Sequence, residues 1–216
     1  MNKQARNEAD MKTAVKKGNE KKFLEASLRI GARKARGGNL SRPSIYDGID
    51  QYLFIMPKQG EDEIGYAEDP EQILTLMQLV GISEKQAWLI AEMNTLDDAE
   101  ITKIDDLLGL LTPGGFGSDE SLDQIYVVTI DGRALGAGAA TLGVESFITE
   151  HGAKTLTVLP SSIHEMIMIP DAPEDEIKVF TRMVAKINAT LLDEKERLTD
   201  RAYIVTLDPN GNAVAR

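Results

Sequence analysis

The first 42 residues and the rest of this chain carry opposite net charges, which bears on the partners that the chain can bind. Residues 1–42 contain 12 Lys and Arg against 4 Asp and Glu, a net charge of +8. The rest of the chain contains 12 Lys and Arg against 31 Asp and Glu, a net charge of −19. A cationic segment on an anionic body predicts a basic N-terminal arm, residues 1–42, that interacts with acidic partners.

The composition narrows the class of protein. A chain of 216 residues that is 42% hydrophobic can build a sizeable core. It has no cysteine, which excludes disulfides, thiol catalysis and cysteine-bound metals and fits a reducing compartment. The N-terminus lacks the apolar stretch of a secretion signal, and no apolar run approaches the roughly 20 residues of a membrane helix. These features predict a cytoplasmic protein without a membrane partner.

The basic arm supplies the main candidate binding residues. Its cations could contact nucleic-acid phosphates, with an affinity that falls steeply with salt. They could equally contact an acidic partner protein, or the acidic body of this chain, which makes a homo-oligomer possible. These alternatives stay open on the sequence. The candidates are Lys12, Lys16, Lys17, Lys21, Lys22, Arg29, Arg33, Lys34 and Arg36, with Lys85 as a further one.

Residues 43–115 predict a strand followed by a module of three helices. The apolar run QYLFIM (51–56) is typical of a strand. A cap and a first-turn proline predict that a helix begins at Asp69-Pro70 and ends at Gly81. Ser83 and Gln86 form the capping box of a second helix.

The third predicted helix begins at Asp97 or Asp98 and carries an apolar stripe up to Leu111. On the second helix we expect Ala87, Ile90 and Met93 to form the apolar face. Trp88, the only tryptophan, is a candidate partner-binding anchor, with a core position as the alternative.

Residues 120–210 predict an α+β domain that follows the basic arm and the helical module. The apolar runs form a mixed or antiparallel sheet with two helices on one face. The predicted strands are 125–130, 156–159, 165–169 and 203–207, and the predicted helices are 144–151 and 173–192.

Three motifs in this domain could carry chemistry. The segment GRALGAGAATLG (132–143) has part of a dinucleotide-binding pattern, but Thr141 replaces its third glycine, so small residues at a close packing contact explain it better. Ser162 and His164 would need a carboxylate behind the imidazole to form a hydrolase triad. DPNGN (208–212) lacks the final glutamate of a calcium loop and predicts a turn. We therefore predict no catalytic residue, cofactor or metal site.

Two resemblances accompany these patterns. Val80-Gly81-Ile82-Ser83 lies between the first two predicted helices, and Leu107-Leu108 lies near the end of the third. With this arrangement, residues 70–111 resemble a ubiquitin-associated-type three-helix domain. The segment is also similar to a helix-hairpin-helix and to a helix-turn-helix, which leaves protein binding and DNA binding open. All three resemblances share a glycine at a tight turn between helices.

The second half resembles an uncharacterised bacterial family classed as a domain of unknown function. The similarity covers about residues 125–207 and rests on LPSSIHE (159–165), a late Asn188-Ala189-Thr190 and the turn Thr199-Asp200 before the last strand. It implies an α+β domain and no particular activity.

The leading functional hypothesis is a non-enzymatic interaction protein that uses its basic arm and helical module. One alternative is nucleic-acid binding through the arm. A second alternative is a hydrolase that uses Ser162 and His164.

Overall fold

The computed structural model describes residues 20–56, 67–104, 124–130 and 135–216. These residues form two compact units, and each is described separately below. Unit 1 takes its described residues from Met1–Ile30, Gly38–Ser41 and Tyr52–Asp97. Unit 2 takes its described residues from Gly31–Gly37, Arg42–Gln51 and Asp98–Arg216.

Helices and antiparallel strands occur together in the described residues, which confirms the α+β class. The α-helices are α1 (Glu20–Ser27), α2 (Pro70–Val80), α3 (Glu84–Asp97), α4 (Val144–Glu150) and α5 (Ile177–Leu191). Short 3₁₀ helices occupy Gly136–Thr141, Glu174–Glu176 and Glu194–Glu196. The strands are β1 (Leu28–Lys34), β2 (Ser41–Pro43), β3 (Ile49–Ile55), β4 (Ala99–Lys103), β5 (Tyr126–Ile130), β6 (Leu156–Leu159), β7 (Met166–Pro170), β8 (Tyr203–Leu207) and β9 (Ala213–Ala215).

The strands form two sheets. A three-stranded sheet has the order β1-β3-β2. A six-stranded sheet has the order β4-β5-β7-β6-β8-β9 and lies in unit 2. Each pair of neighbours in this second sheet is antiparallel, as the register Val158 opposite Met168 and Tyr203 illustrates.

In unit 1, local signals position the two longer helices. The Asp69 carboxylate accepts the Glu71 amide at 3.0 Å at the start of α2. Gly81 ends this helix with φ 72° and ψ 33°, a left-handed conformation that suits glycine. Ser83 and Gln86 exchange capping contacts, since the Ser83 amide donates to Gln86 Oε1 at 3.0 Å. These predicted helix boundaries are confirmed.

Residues 20–34 of the basic arm form α1 and β1, with Leu24, Leu28 and Ile30 buried. One part of the predicted architecture, the third helix of the helical module, is wrong. The stripe assigned to a third helix starts instead as strand β4, because Ala99–Lys103 pairs with β5 along its whole length. The rest of that stripe, from residue 105, lies outside the described residues. The predicted domain limits of 1–42, 43–115 and 120–210 stay a prediction.

In unit 2, helix α5 packs on the sheet through one face. Leu159, Val184 and Ala202 form a buried cluster, and Ile177 and Phe180 pack against it. The strands predicted from apolar runs at β5, β6, β7 and β8 are all present, as are α4 and α5. The small-residue segment, for which a close packing contact was expected, forms the buried 3₁₀ helix Gly136–Thr141.

Two tyrosines tie loops of unit 2 to its core. The Tyr46 hydroxyl donates to the Ala140 carbonyl at 3.0 Å, and the Tyr203 hydroxyl donates to the Asp47 carbonyl. Their ring centroids lie 5.1 Å apart. Burial raises the pKa of Tyr46 far above its ordinary value, so this phenol stays protonated and serves as a donor.

Asp171 is expected to make the stability of the fold depend on pH. It has φ 48°, and its carboxylate accepts the Lys154 and Thr155 amides at 2.8 and 3.0 Å. The Thr155 and Lys154 backbone bonds hold its pKa below the ordinary 3.8. Its stabilising contribution is therefore complete above the unfolded-state pKa and is lost as the pH falls through the lower folded-state pKa.

Asp171→Ala should lower the free energy of unfolding by about 1–2 kcal/mol at neutral pH, through the lost hydrogen bonds and the strained backbone. Asp171→Asn should retain most of the stability, since asparagine tolerates positive φ and keeps one acceptor oxygen. Urea denaturation at several pH values measures both. An alanine variant as stable as the wild type would contradict the capping role.

Candidate functional site

The LPSSIHE segment forms the tight connection between β6 and β7. Ser161 Oγ donates to the Glu165 carbonyl at 2.9 Å, and the Ser162 amide donates to the same oxygen at 3.2 Å. The His164 amide donates to Ser162 Oγ at 3.0 Å. Both hydroxyls are therefore engaged with the backbone of their own turn, as serines in turns commonly are.

The imidazole of His164 faces two different groups. Its Nδ1 accepts the Leu135 amide at 3.1 Å, so the neutral ring carries its proton on Nε2. Nε2 lies 3.9 Å from Glu196 Oε1. A triad needs a serine on one ring nitrogen and a carboxylate on the other. Here Glu196 lies near one ring nitrogen, but the Leu135 amide and not Ser162 occupies the other, so Ser162, His164 and Glu196 do not form that arrangement.

The LPSSIHE turn also forms hydrogen bonds with neighbouring elements of unit 2. The Ala137 amide donates to the Ile163 carbonyl at 3.2 Å, and the Ile163 amide donates to the Glu196 carbonyl at 2.9 Å. Thr129 Oγ1 donates to the His164 carbonyl at 3.3 Å. The LPSSIHE turn thus joins β5, the 3₁₀ helix Gly136–Thr141 and the 3₁₀ helix Glu194–Glu196.

This geometry predicts a structural role for His164. His164→Gln should lower the free energy of unfolding by about 1 kcal/mol, the usual effect of one lost hydrogen bond. An esterase and phosphatase screen should show no activity that depends on the residue. Turnover that disappears in both His164→Gln and Ser162→Ala, with folding intact, would establish the hydrolase alternative.

The other candidate motifs of unit 2 also have structural partners. All six residues of Gly136–Thr141 are buried, so this segment does not present an open loop to a dinucleotide. Asp208 accepts the Asn210 and Asn212 amides at 2.8 and 2.9 Å, which confirms the predicted turn at DPNGN. The Asn212 side chain, which donates to Asp208 at 3.0 Å, and these backbone hydrogen bonds hold the pKa of Asp208 below its usual range.

The late asparagine motif has a clear structural partner. Buried Asn188 on α5 donates through Nδ2 to the Thr199 carbonyl at 3.0 Å and to Asp200 Oδ1 at 2.7 Å. The structure therefore joins the Asn188 motif to the Thr199-Asp200 turn, which are separated along the chain.

The arm residues have different environments. Lys12, Lys16 and Lys17 lie outside the described residues. Lys21 and Lys22 are exposed on α1, where Lys21 lies 3.9 Å from Glu25.

At the end of β1, Lys34 and Arg36 are exposed, and the Arg33 guanidinium donates to the Gly37 carbonyl at 3.0 Å. Lys85, on α3, is also exposed.

Arg29 differs from the position expected for it. Its side chain is 1% exposed and donates to the Ala26 and Leu28 carbonyls at 2.7 and 2.8 Å. Hydrogen bonds to backbone oxygens stabilise a guanidinium in the interior. Arg29 therefore belongs to the interior of the fold and is not among its surface cations.

Trp88 also points inward. It is 9% exposed, and its Nε1 donates to Glu84 Oε1 at 3.4 Å. Ala87, Ala91 and Thr95 are buried on the same side of α3. The expectation that Met93 lies on the apolar inner face is wrong, because Met93 is 71% exposed.

The opposite side of α3 carries three large apolar side chains, of which only Met93 was named among the expected apolar residues of this helix. Leu89, Met93 and Leu96 are 54%, 71% and 43% exposed. At 3.6 residues per turn they lie within about 60° of one another, on the side away from the core. We call these three residues the outer stripe of α3. The spacing i, i+4, i+7 was visible in the sequence, but a second apolar face on the same helix concealed which side was buried.

The described residues contain neither a membrane-spanning helix nor a cluster of metal-binding side chains. No described helix is long and apolar enough to cross a bilayer. Across 20–56, 67–104, 124–130 and 135–216, no group of three or more His, Cys, Asp or Glu side chains is placed to hold a metal ion.

The structure thus defines an α+β protein with a helical unit and an antiparallel-sheet unit. The chain belongs to the family of unknown function DUF5688, whose model matches residues 74–205. The match includes the LPSSIHE turn and the Asn188 motif, and it also covers α3. No curated protein and no solved structure matches the chain significantly.

Proposed function

We propose that this chain is a non-enzymatic interaction protein that binds a partner protein through the outer stripe of α3. The observation that carries the proposal is that α3 is apolar on both sides while only one side is buried. Leu89, Met93 and Leu96 remain in contact with solvent. Single exposed apolar residues are ordinary, but three on one face of a helix are typical of helix-mediated recognition.

The chemistry of the stripe suits protein binding. Fully burying a leucine or methionine is worth about 1.5–3 kcal/mol, so completing the burial of three partly exposed side chains contributes a few kcal/mol. Methionine adapts to different partner surfaces because its side chain is unbranched and flexible. No titratable or nucleophilic group is needed for this role.

The basic arm supplies a second contact in this proposal. Lys21, Lys22, Lys34 and Arg36 are exposed and can approach an acidic protein surface. The same cations keep nucleic-acid binding as the alternative function. The hydrolase alternative has less support, because the Leu135 amide occupies the ring nitrogen of His164 on which a triad requires the serine, while Glu196 lies 3.9 Å from the other nitrogen.

Affinity capture with the full chain tests the proposal. Leu89→Gln/Met93→Gln should lose its specific protein partners, whereas Val214→Gln, a matched change at an exposed apolar residue of β9, should keep them. Nuclease treatment before capture separates the alternatives, since partners held through nucleic acid would disappear from every sample. Identical partner sets in the wild type and in the α3 variant would refute the proposal.

A further inference from the structure

Helix α5 in unit 2 has a basic and apolar outer surface that no role described above uses. Its cations Lys178, Arg182 and Lys186 recur every fourth residue and are exposed. Neighbouring Val179 and Met183 are each 47% exposed. Helix α5 contains no Asp or Glu, although the chain beyond residue 42 has a net charge of −19. A row of cations beside a row of apolar side chains is typical of a helix that binds an acidic, apolar partner.

The helical segment of unit 1 has the opposite character. Residues 67–97 contain six Asp and Glu against one Lys, a net charge of −5. On α3, projected at 3.6 residues per turn, Glu92 and Lys85 lie on one side of the outer stripe and Asp97 lies on the other. The outer stripe is therefore an apolar surface in a segment of net negative charge, whereas the outer surface of α5 is apolar with a basic border.

From this complementarity we propose that the outer stripe of α3 in one copy binds the outer surface of α5 in a second copy. The inference rests on the proposed function and names its partner as this same chain. Apolar side chains of both helices would leave water together, and the segment of net negative charge that carries α3 would approach the cations of α5. The contact joins two different surfaces, so it is heterologous, with each copy offering both.

The expected strength follows from the size of the two surfaces. One helix against one helix is smaller than the roughly 1,200 Å² of a standard stable interface, so the association should be reversible. A dissociation constant on the order of 1–100 µM is expected at low salt. Because exposed charges are screened over about 8 Å at physiological ionic strength, added salt should weaken the association.

Sedimentation velocity on the full chain provides the test, across concentrations that span this range. The wild type should self-associate, and Val214→Gln should match it. Leu89→Gln/Met93→Gln on α3 and Arg182→Glu/Met183→Gln on α5 should each weaken association at least tenfold. All substituted side chains are exposed, and circular dichroism with thermal melting verifies that each variant folds.

Mixing the two variants gives the decisive measurement. The α3 variant keeps an intact α5, and the α5 variant keeps an intact α3, so an equal mixture should form one-to-one complexes that neither forms alone. No recovery on mixing would overturn the inference. So would an α5 variant that still self-associates, since α3 would then bind another surface.

A wild type that stays monomeric would also overturn the inference but would leave the proposed function intact, because α3 could still bind a different protein. In contrast, an α3 variant that retains every captured partner would refute the proposed function itself. The two failures are therefore distinguishable.

Discussion

Gly136→Ala is expected to lower the free energy of unfolding by about 3 kcal/mol or more, at the upper end of the range for overpacked interiors. A Cβ at this position would lie 2.5 Å from the Ile130 amide nitrogen, 2.6 Å from the His164 carbonyl oxygen and 2.6 Å from Thr129 Oγ1. Two of these atoms belong to the backbone of β5 and of the LPSSIHE turn, so they cannot move aside independently. Since domains are stable by about 5–15 kcal/mol, much of the stability of unit 2 depends on this glycine.

Gly81→Ala provides the matched control for Gly136→Ala. Gly81 has φ 72°, and no atom lies within 4 Å of a Cβ built there. Gly81→Ala should lower the free energy of unfolding by only about 1–2 kcal/mol, which corresponds to the strain of a left-handed residue. Chemical denaturation monitored by circular dichroism measures both variants. A Gly136→Ala variant no less stable than Gly81→Ala would show that the close approach at Gly136 is not rigid.

Trp88→Ala is expected to destabilise unit 1 by about 3–5 kcal/mol, the typical cost of removing a buried aromatic side chain. Trp88 is buried beside Ala87 and Ala91, so its removal leaves a cavity in the core of the helical unit. The adjacent Leu89→Ala should cost less than about 1 kcal/mol, because Leu89 lies mostly in solvent.

Trp88→Ala and Leu89→Ala should also give different results in a binding assay. Leu89→Ala should weaken partner capture at an unchanged melting temperature, whereas Trp88→Ala should lower the melting temperature. The contrary result, lost binding with full stability for Trp88→Ala, would restore Trp88 as a partner-binding anchor.

The elements that the sequence predicted correctly depend on neighbours in the chain. The Asp69 cap, the left-handed Gly81 and the Ser83 capping box each involve residues within three or four positions. Strands β6 and β8 are short apolar runs bounded by turn residues. Such signals act whatever the rest of the molecule does, so local reasoning is sufficient for them.

The errors occur where a distant segment decides the conformation. Residues 99–103 include the start of an apolar stripe with helical spacing, which runs from Ile101 to Leu111, yet they form β4 because β5 supplies hydrogen-bonding partners from Tyr126 to Ile130. Arg29 carries a charge that predicts a surface position, yet nearby carbonyls stabilise it in the interior. Neither result follows from propensity, because tertiary pairing overrides it.

The candidate site also combines features that follow from the local sequence with features that depend on distant residues. That Ser162 and His164 lie in one turn was evident from LPSSIHE, but the group at each ring nitrogen was not. Leu135 lies 29 positions away and Glu196 lies 32 positions away, and only folding places them on the two sides of His164. Whether Ser162 and His164 could act together as a catalytic pair therefore depended on contacts with residues outside the LPSSIHE motif.

By itself, the amino-acid sequence determined the charge asymmetry, the α+β class, the helix caps and most strands, because composition and short-range patterns carry that information. Only the tertiary structure decided which side of α3 is buried. That helix is apolar on both sides, so its own periodicity favours neither orientation. Packing within unit 1 selected the side that carries Trp88 and left Leu89, Met93 and Leu96 in solvent.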